Sequence, residues 1–314
     1  MTPDRPIALQ LCPLSPAMEA ALGDRFDVVR WFEMQDHEAW LEAHAAGVRA
    51  VVTGGHVGIA NTLMEQLPSL GVVAINGVGF DKVDLDLAGR RGVRVSNTPD
   101  VLTEDVADLA VGLVIALLRG IVAADRHVRD QRWPTGEMPL ARKVSGRRFG
   151  IVGLGRIGAA IAQRLSAFGP VSYTGRTPKA AAPYAYVADL AELAQNSDVL
   201  VLSCAANAQT KALIGPAILD ALGPSGVLVN VARGAVVDEA ALIGALAEGR
   251  IAGAALDVYV DEPRVPKALI GMPNVILTPH IASATEEGRR RMAELVLENL
   301  DAYFAGTPMP TALV

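Results

Sequence analysis

Uninterrupted apolar runs, each followed by a stretch with helical spacing, recur along the chain, and this alternation constrains the fold more than any other feature. In the first third, residues 7–12, 26–30, 50–53, 72–75 and 93–96 read as strands. Residues 17–22, 36–45 and a segment from Ile59 to before Pro68 read as helices between them. Strands that are apolar on both faces need cover on both sides, and intervening helices that supply it make the sheet parallel. The length of 314 residues suits two domains, and a composition 51% hydrophobic and 20% charged fills two cores and excludes a disordered chain.

The pattern changes after Thr98-Pro99. Pro99 suits the first turn of a helix, and Asp100, Glu104 and Asp105 sit where the helix dipole favours acids. A long apolar helix is expected to about Leu118, and residues 125–147, charged and carrying Trp133-Pro134 and Met138-Pro139, read as an extended arm or loop. A second alternating unit follows, with strands at 149–152, 171–174, 199–203, 227–231, 254–258 and 275–277 and a helix at 156–168. The last helix, 285–304, carries Met292, Leu295, Val296 and Leu300 on one face. Counting elements, the last residues return to the first unit. The expected fold is therefore α/β, two Rossmann-like doubly wound parallel-sheet domains, with a discontinuous, flavodoxin-like domain at 1–98 plus 285–314 and a second domain at 99–284.

Gly153-Leu154-Gly155-Arg156-Ile157-Gly158 follows an expected strand and opens an expected helix, the context that gives this glycine spacing its meaning. Gly153 allows the tight turn, Gly155 lets backbone approach a pyrophosphate, and Gly158 lets the helix pack closely. The helix N-terminus offers N–H groups and partial positive charge to phosphates. The domain at 99–284 is accordingly read as dinucleotide-binding and the discontinuous one as the substrate domain. At the end of the next strand an NAD site usually carries an acid. Here Gly175-Arg176-Thr177-Pro178-Lys179 carries none. Arg176 and Thr177 could meet a 2′-phosphate, which favours NADPH, with NADH the weaker possibility; in the competing case Arg176 stacks on adenine or points to solvent.

Arg233, Glu262 and His280 follow successive expected strands, and the carboxyl ends of parallel strands share one edge where ligands bind. Their chemistry suits carbonyl reduction. Hydride addition builds negative charge on oxygen, a histidine can supply the proton, a carboxylate can orient the ring, and an arginine can hold a substrate carboxylate. Singly, each could be an ordinary loop or turn residue.

Taken in order, Asn76-Gly77-Val78-Gly79-Phe80-Asp81, Asn97-Thr98-Pro99, Glu104-Asp105-Val106-Ala107-Asp108, the glycine motif, Asn230-Val231-Ala232-Arg233-Gly234, Ala255-Leu256-Asp257-Val258, Glu262-Pro263 and Thr278-Pro279-His280-Ile281 make the chain resemble the D-isomer-specific 2-hydroxyacid dehydrogenases over nearly its whole length. The resemblance implies Arg233, Glu262 and His280 as the catalytic triplet. It implies substrate contacts at Gly54, Gly55, Val78 and Gly79, and cofactor contacts at Cys204, Val231, Asp257, His280 and Ser283. It implies a homodimer through the dinucleotide-binding domains, which suits the helix after Pro99 and the Trp133 arm. The sequence looks most similar to NADPH-dependent glyoxylate and hydroxypyruvate reductases, including the plant-type hydroxyphenylpyruvate reductases. Another 2-oxo acid such as pyruvate, or a non-catalytic dinucleotide-sensing partner like the corepressors built on this fold, are the alternatives. Glu262 fits hydroxyacid chemistry rather than formate oxidation, for which the resemblance would call for glutamine.

The remaining features limit function further. A net charge of −6 disfavours binding to a phosphate backbone. Cys12 and Cys204 cannot build a disulfide framework, the N-terminus shows no signal-peptide pattern, and no apolar stretch is long enough for a membrane span, so a soluble cytoplasmic protein is expected. His37, His44 and His127 read as surface residues, His56 as an exposed or substrate-facing loop residue, and no Cys/His cluster has zinc spacing.

Overall fold

In the computed structural model, which describes residues 5–314, the chain divides into two compact units, one running through Leu102 and resuming at Glu286–Val314, the other Thr103–Thr285. Residues 1–4, where the first domain and the N-terminal reading above begin, lie outside the described residues.

The first unit alternates β1 (Ile7–Gln10), α1 (Pro16–Gly23), β2 (Asp27–Arg30), α2 (His37–His44), β3 (Val48–Gly54), α3 (Asn61–Gln66), β4 (Val72–Asn76), α4 (Leu85–Arg90) and β5 (Arg94–Ser96). The strands pair in parallel in the order β2-β1-β3-β4-β5, the flavodoxin-like winding. Side-chain caps start several helices. Asp36 accepts from Ala39 N at 3.0 Å, and Asp84 accepts from Leu87 N at 2.8 Å to open α4, a helix the sequence reading did not mark. A closing helix, Glu286–Phe304, buries Met292, Leu295, Val296 and Leu300. Val296 and Leu300 pack with Ala50, Val52, Val72 and Ala74 on one face of the sheet, which makes this unit discontinuous.

The second unit comprises α5 (Thr103–Arg119), α6 (Ile121–Arg129), β6 (Phe149–Val152), α7 (Arg156–Leu165), β7 (Val171–Thr174), β8 (Ala185–Tyr186), α8 (Leu190–Gln195), β9 (Val199–Leu202), α9 (Pro216–Leu222), β10 (Val227–Asn230), α10 (Glu239–Ala247), β11 (Gly253–Leu256), α11 (Lys267–Ile270) and β12 (Val275–Leu277). The strand order is β12-β11-β10-β9-β6-β7-β8, with every pairing parallel. The winding reverses between β6 and β9, so the loops after those strands flank the switch point where such sheets bind ligands.

Two local expectations are corrected. Pro99 does not open a helix: Asp100 adopts a left-handed φ of 69°, which interrupts helical geometry, and α5 begins at Thr103. Residues 125–147 are not wholly an arm, because α6 runs to Arg129. Gly120, at φ 62°, breaks the chain direction, and Arg126, His127 and Arg129 then fall in the last turn, where the dipole favours cations. Among the described residues no single helix is long and apolar enough to cross a membrane.

Candidate active site

The turn after β6 carries the glycine motif, and its geometry gives each glycine a different reason. Gly153 has φ 95°, and a Cβ there would lie 2.7 Å from Cys204 Cα, so the turn and the segment after β9 touch backbone to backbone. A Cβ at Gly158 would overlap the carbonyl oxygen of Gly153 and come 2.7 Å from Ser203 Oγ, whose hydroxyl donates to that same carbonyl at 2.8 Å. At Gly155 a Cβ would meet nothing within 4 Å, and no side chain caps α7. Leu154 is buried, Ile157 half-buried, and Gly155 and Arg156 are exposed. An uncapped helix N-terminus behind an open glycine fits a dinucleotide pyrophosphate. Cys204 is half-buried, and burial pushes its thiol up to about 11, so it is a packing group rather than a nucleophile.

The segment after β7 is a tethered, basic loop. Tyr186 OH donates to the Gly175 carbonyl at 3.1 Å, and Lys179 N donates to Tyr173 OH at 2.7 Å. The two rings lie 5.4 Å apart. Arg176 and Thr177 are exposed between these tethers, and Arg176 makes no ion pair with any described residue. The sequence reading missed both tyrosines; their signal was only a Tyr beneath the basic loop and a second one in the short edge strand β8.

Glu262 and His280, read separately from the sequence, meet directly: His280 Nδ1 and Glu262 Oε2 are 2.7 Å apart. The other carboxylate oxygen, Oε1, accepts from Tyr259 N at 3.0 Å, which fixes its rotamer. With a carboxylate accepting at Nδ1, the proton sits on that nitrogen and Nε2 is the end that faces other chemistry. His280 adopts φ 53°, costly for a residue with a Cβ. Asp257 holds it there. Its carbonyl accepts from His280 N at 2.9 Å. Its fully buried carboxylate accepts from Thr278 Oγ1 at 2.6 Å, Ile281 N at 2.9 Å and Ala282 N at 3.0 Å. Asp257, read from the sequence as a cofactor contact, is thus the anchor of the 278–282 loop. Tyr259 adds a second brace: its hydroxyl donates towards Leu256 O at 3.1 Å and Thr278 O at 2.9 Å, and burial beside Asp257 and Glu262 pushes it up to about 12.

Arg233 follows β10. Asn230, itself buried, clamps the turn by accepting from Ala232 N at 3.0 Å and donating to Arg233 O at 3.1 Å. Arg233 Nη1 donates to Ala232 O at 2.8 Å. A Cβ at Gly234 would overlap the Tyr259–Val260 peptide, so this turn packs against the segment that leads to Glu262. Val231 is buried and Ser283 half-buried in a turn where Ala284 N donates to Ile281 O at 2.8 Å. Among the described residues no group of His, Cys, Asp or Glu side chains is placed to hold a metal ion.

In the first unit, Gly54 ends β3 and Gly55 opens the turn after it, and Val78 and Gly79 follow β4. A Cβ at Gly55 would stand 2.7 Å from Gly79 O, so the two loops touch along their backbones. His56 is exposed beside them, and Val57 and Phe80 present apolar surface at the same sheet edge.

The chain is similar to known proteins over nearly its whole length. Residues 111–282 match the family model described as D-isomer specific 2-hydroxyacid dehydrogenase, NAD binding domain. The chain is 48% identical over 307 residues to a glyoxylate/hydroxypyruvate reductase A of Arabidopsis thaliana, covering 98% of each chain. It is 47% identical to a hydroxyphenylpyruvate reductase of Plectranthus scutellarioides, again over 98% of each. Among solved structures, the NADPH-dependent glyoxylate/hydroxypyruvate reductase of Sinorhizobium meliloti, in complex with NADP and malonate, superposes with a TM-score of 0.92 at 42% identity. That match covers 99% of this chain and 97% of the other.

Proposed function

Because the chain belongs to the D-isomer specific 2-hydroxyacid dehydrogenases, we propose that it is an NADPH-linked reductase of small 2-oxo acids, glyoxylate and hydroxypyruvate first, giving D-2-hydroxy acids. The observation that carries this reading is the Glu262–His280 pair at 2.7 Å, on a loop held in a left-handed turn by Asp257.

The 153–158 turn and the start of α7 hold the pyrophosphate, and Arg176 with Thr177 takes the 2′-phosphate. Reduced dinucleotide, when bound, supplies the hydride. Reduction leaves charge on the carbonyl oxygen, and His280 delivers a proton to it from Nε2. Glu262 steadies the ring and the positive charge that His280 carries before the transfer. Arg233 directs hydrogen bonds to the carboxylate and carbonyl of the substrate. The first unit, as the substrate domain, offers the backbone N–H groups of Val78 and Gly79 to the carboxylate, with Gly54 and Gly55 beside them.

Exposed Ile121, Val122, Val128, Trp133 and Leu140 support a homodimer through the dinucleotide-binding unit. Two free cysteines support a reducing, cytoplasmic setting. The direct test is initial-rate reduction of glyoxylate, hydroxypyruvate, pyruvate and hydroxyphenylpyruvate with NADPH and with NADH. Fast NADPH-dependent turnover of the first two is expected; dinucleotide binding with no turnover of any of the four would reject this reading.

A further inference from the structure

Beneath the Val78–Gly79 loop runs a chain of hydrogen bonds that ties it to residues far away in sequence. Asn97, buried just past β5, donates from Nδ2 to the Val78 carbonyl at 2.7 Å, and Thr98 N donates to Gly77 O at 2.9 Å. The carbonyl of Asn97 accepts from Thr311 Oγ1 at 2.6 Å. Thr311 is held by Asn299 on the closing helix: Asn299 Nδ2 donates to Thr311 Oγ1 at 2.8 Å, and Thr311 N donates to Asn299 Oδ1 at 3.1 Å. Asn299 is fully buried and also donates to Leu295 O at 2.7 Å. The same segment is stitched to β5 by a bridge between Ser96 and Ala312 and by Leu313 N donating to Val95 O at 2.7 Å.

The polarity of this chain is fixed. An amide NH2 only donates, so the single hydroxyl proton of Thr311 is committed to the Asn97 carbonyl. At the far end, the Val78 carbonyl and the Gly79 N–H belong to one planar trans peptide and point in opposite directions. A bond that pins the carbonyl therefore aims the N–H. We propose that Asn97 is a positioning residue for substrate binding, with Thr311 and Asn299 as its support, and that it acts by orienting the Gly79 N–H towards the substrate carboxylate. The proposal rests on the reading above that this loop takes that carboxylate.

The test compares Asn97→Ala, Thr311→Val and Thr311→Ser with the wild-type enzyme, using glyoxylate and NADPH. Thr311→Val preserves shape and removes the hydroxyl; Thr311→Ser restores it. Loss of an interaction made equally to bound substrate and transition state raises KM and leaves kcat alone. The glyoxylate KM should rise about 10- to 100-fold in Asn97→Ala and about 3- to 20-fold in Thr311→Val, with Thr311→Ser close to wild type. The kcat and the NADPH KM should stay within about twofold. A lower thermal midpoint with an unchanged glyoxylate KM in Asn97→Ala and Thr311→Val would mean a purely structural role and overturn the proposal. So would an NADPH KM that rises in step. A wild-type enzyme that reduces no 2-oxo acid would instead overturn the underlying reading, and the proposal with it.

Discussion

Replacing Arg176 with alanine separates cofactor choice from everything else the second unit does. The side chain is exposed and makes no ion pair with a described residue, so its loss should leave the thermal midpoint where it was. The loop around it stays in place, because Gly175 and Lys179 are tied to Tyr186 and Tyr173 at 3.1 and 2.7 Å. The loss then falls on the charged hydrogen bonds to the 2′-phosphate, each worth about 1.5–3 kcal/mol, or about 10- to 150-fold in affinity. Because the loop is already ordered, little of that is spent on freezing it, and the upper part of the range is expected. The assay is kcat/KM for NADPH and for NADH on a fixed 2-oxo acid. NADPH should lose about 30- to 150-fold while NADH stays within about threefold. Equal losses for the two would refute the reasoning, since they would place Arg176 on the adenine or the shared pyrophosphate instead.

Other outcomes follow from contacts on the same unit. In Gly158→Ala the new methyl meets the Gly153 carbonyl, a backbone atom that cannot give way without moving the turn. NADPH affinity, read by fluorescence titration, should fall by at least about tenfold, and folding stability by about 1–3 kcal/mol. Asp198 accepts from Arg148 N at 2.8 Å and Arg148 Nη2 at 3.2 Å. Burial works to raise its carboxyl, but the bonds from Arg148 outweigh it and hold the group below the usual carboxylate range. A carboxylate depressed in the folded state adds stability above its unfolded pKa of about 3.9, and that stability is lost as pH falls through the folded value. Asp198→Asn should therefore lower the urea-derived stability by about 1–2 kcal/mol at pH 7, with the difference closing below about pH 4. A difference independent of pH would contradict the assignment to charge.

The strands were legible because parallel, doubly covered strands need apolar residues at every position. Val199–Leu202 and Val227–Asn230 lie within residues the sequence marks as apolar runs. Helix starts were harder. Nothing local to Pro99 tells that Asp100 turns left-handed, and the charged composition of 121–129 hid a helix whose basic residues suit its last turn. At the candidate site, Glu262 and His280 were legible as residue types at strand ends, and their contact followed from the sheet. What escaped notice is the support around them. Asp257 as the anchor of the His280 loop and the Asn97–Thr311–Asn299 chain are bonds between residues up to 214 positions apart. No local pattern encodes such pairings; they appear only once the chain is folded.

The central claim is that His280, oriented by Glu262, delivers the proton while the glycine turn and basic loop hold the dinucleotide. The most direct measurement is single-turnover oxidation of bound NADPH by glyoxylate in His280→Ala, with NADPH affinity titrated on the same sample. A fall in rate of at least about 100-fold with an affinity within about twofold of wild type is predicted. A rate within about tenfold of wild type, with the cofactor still bound, would contradict it.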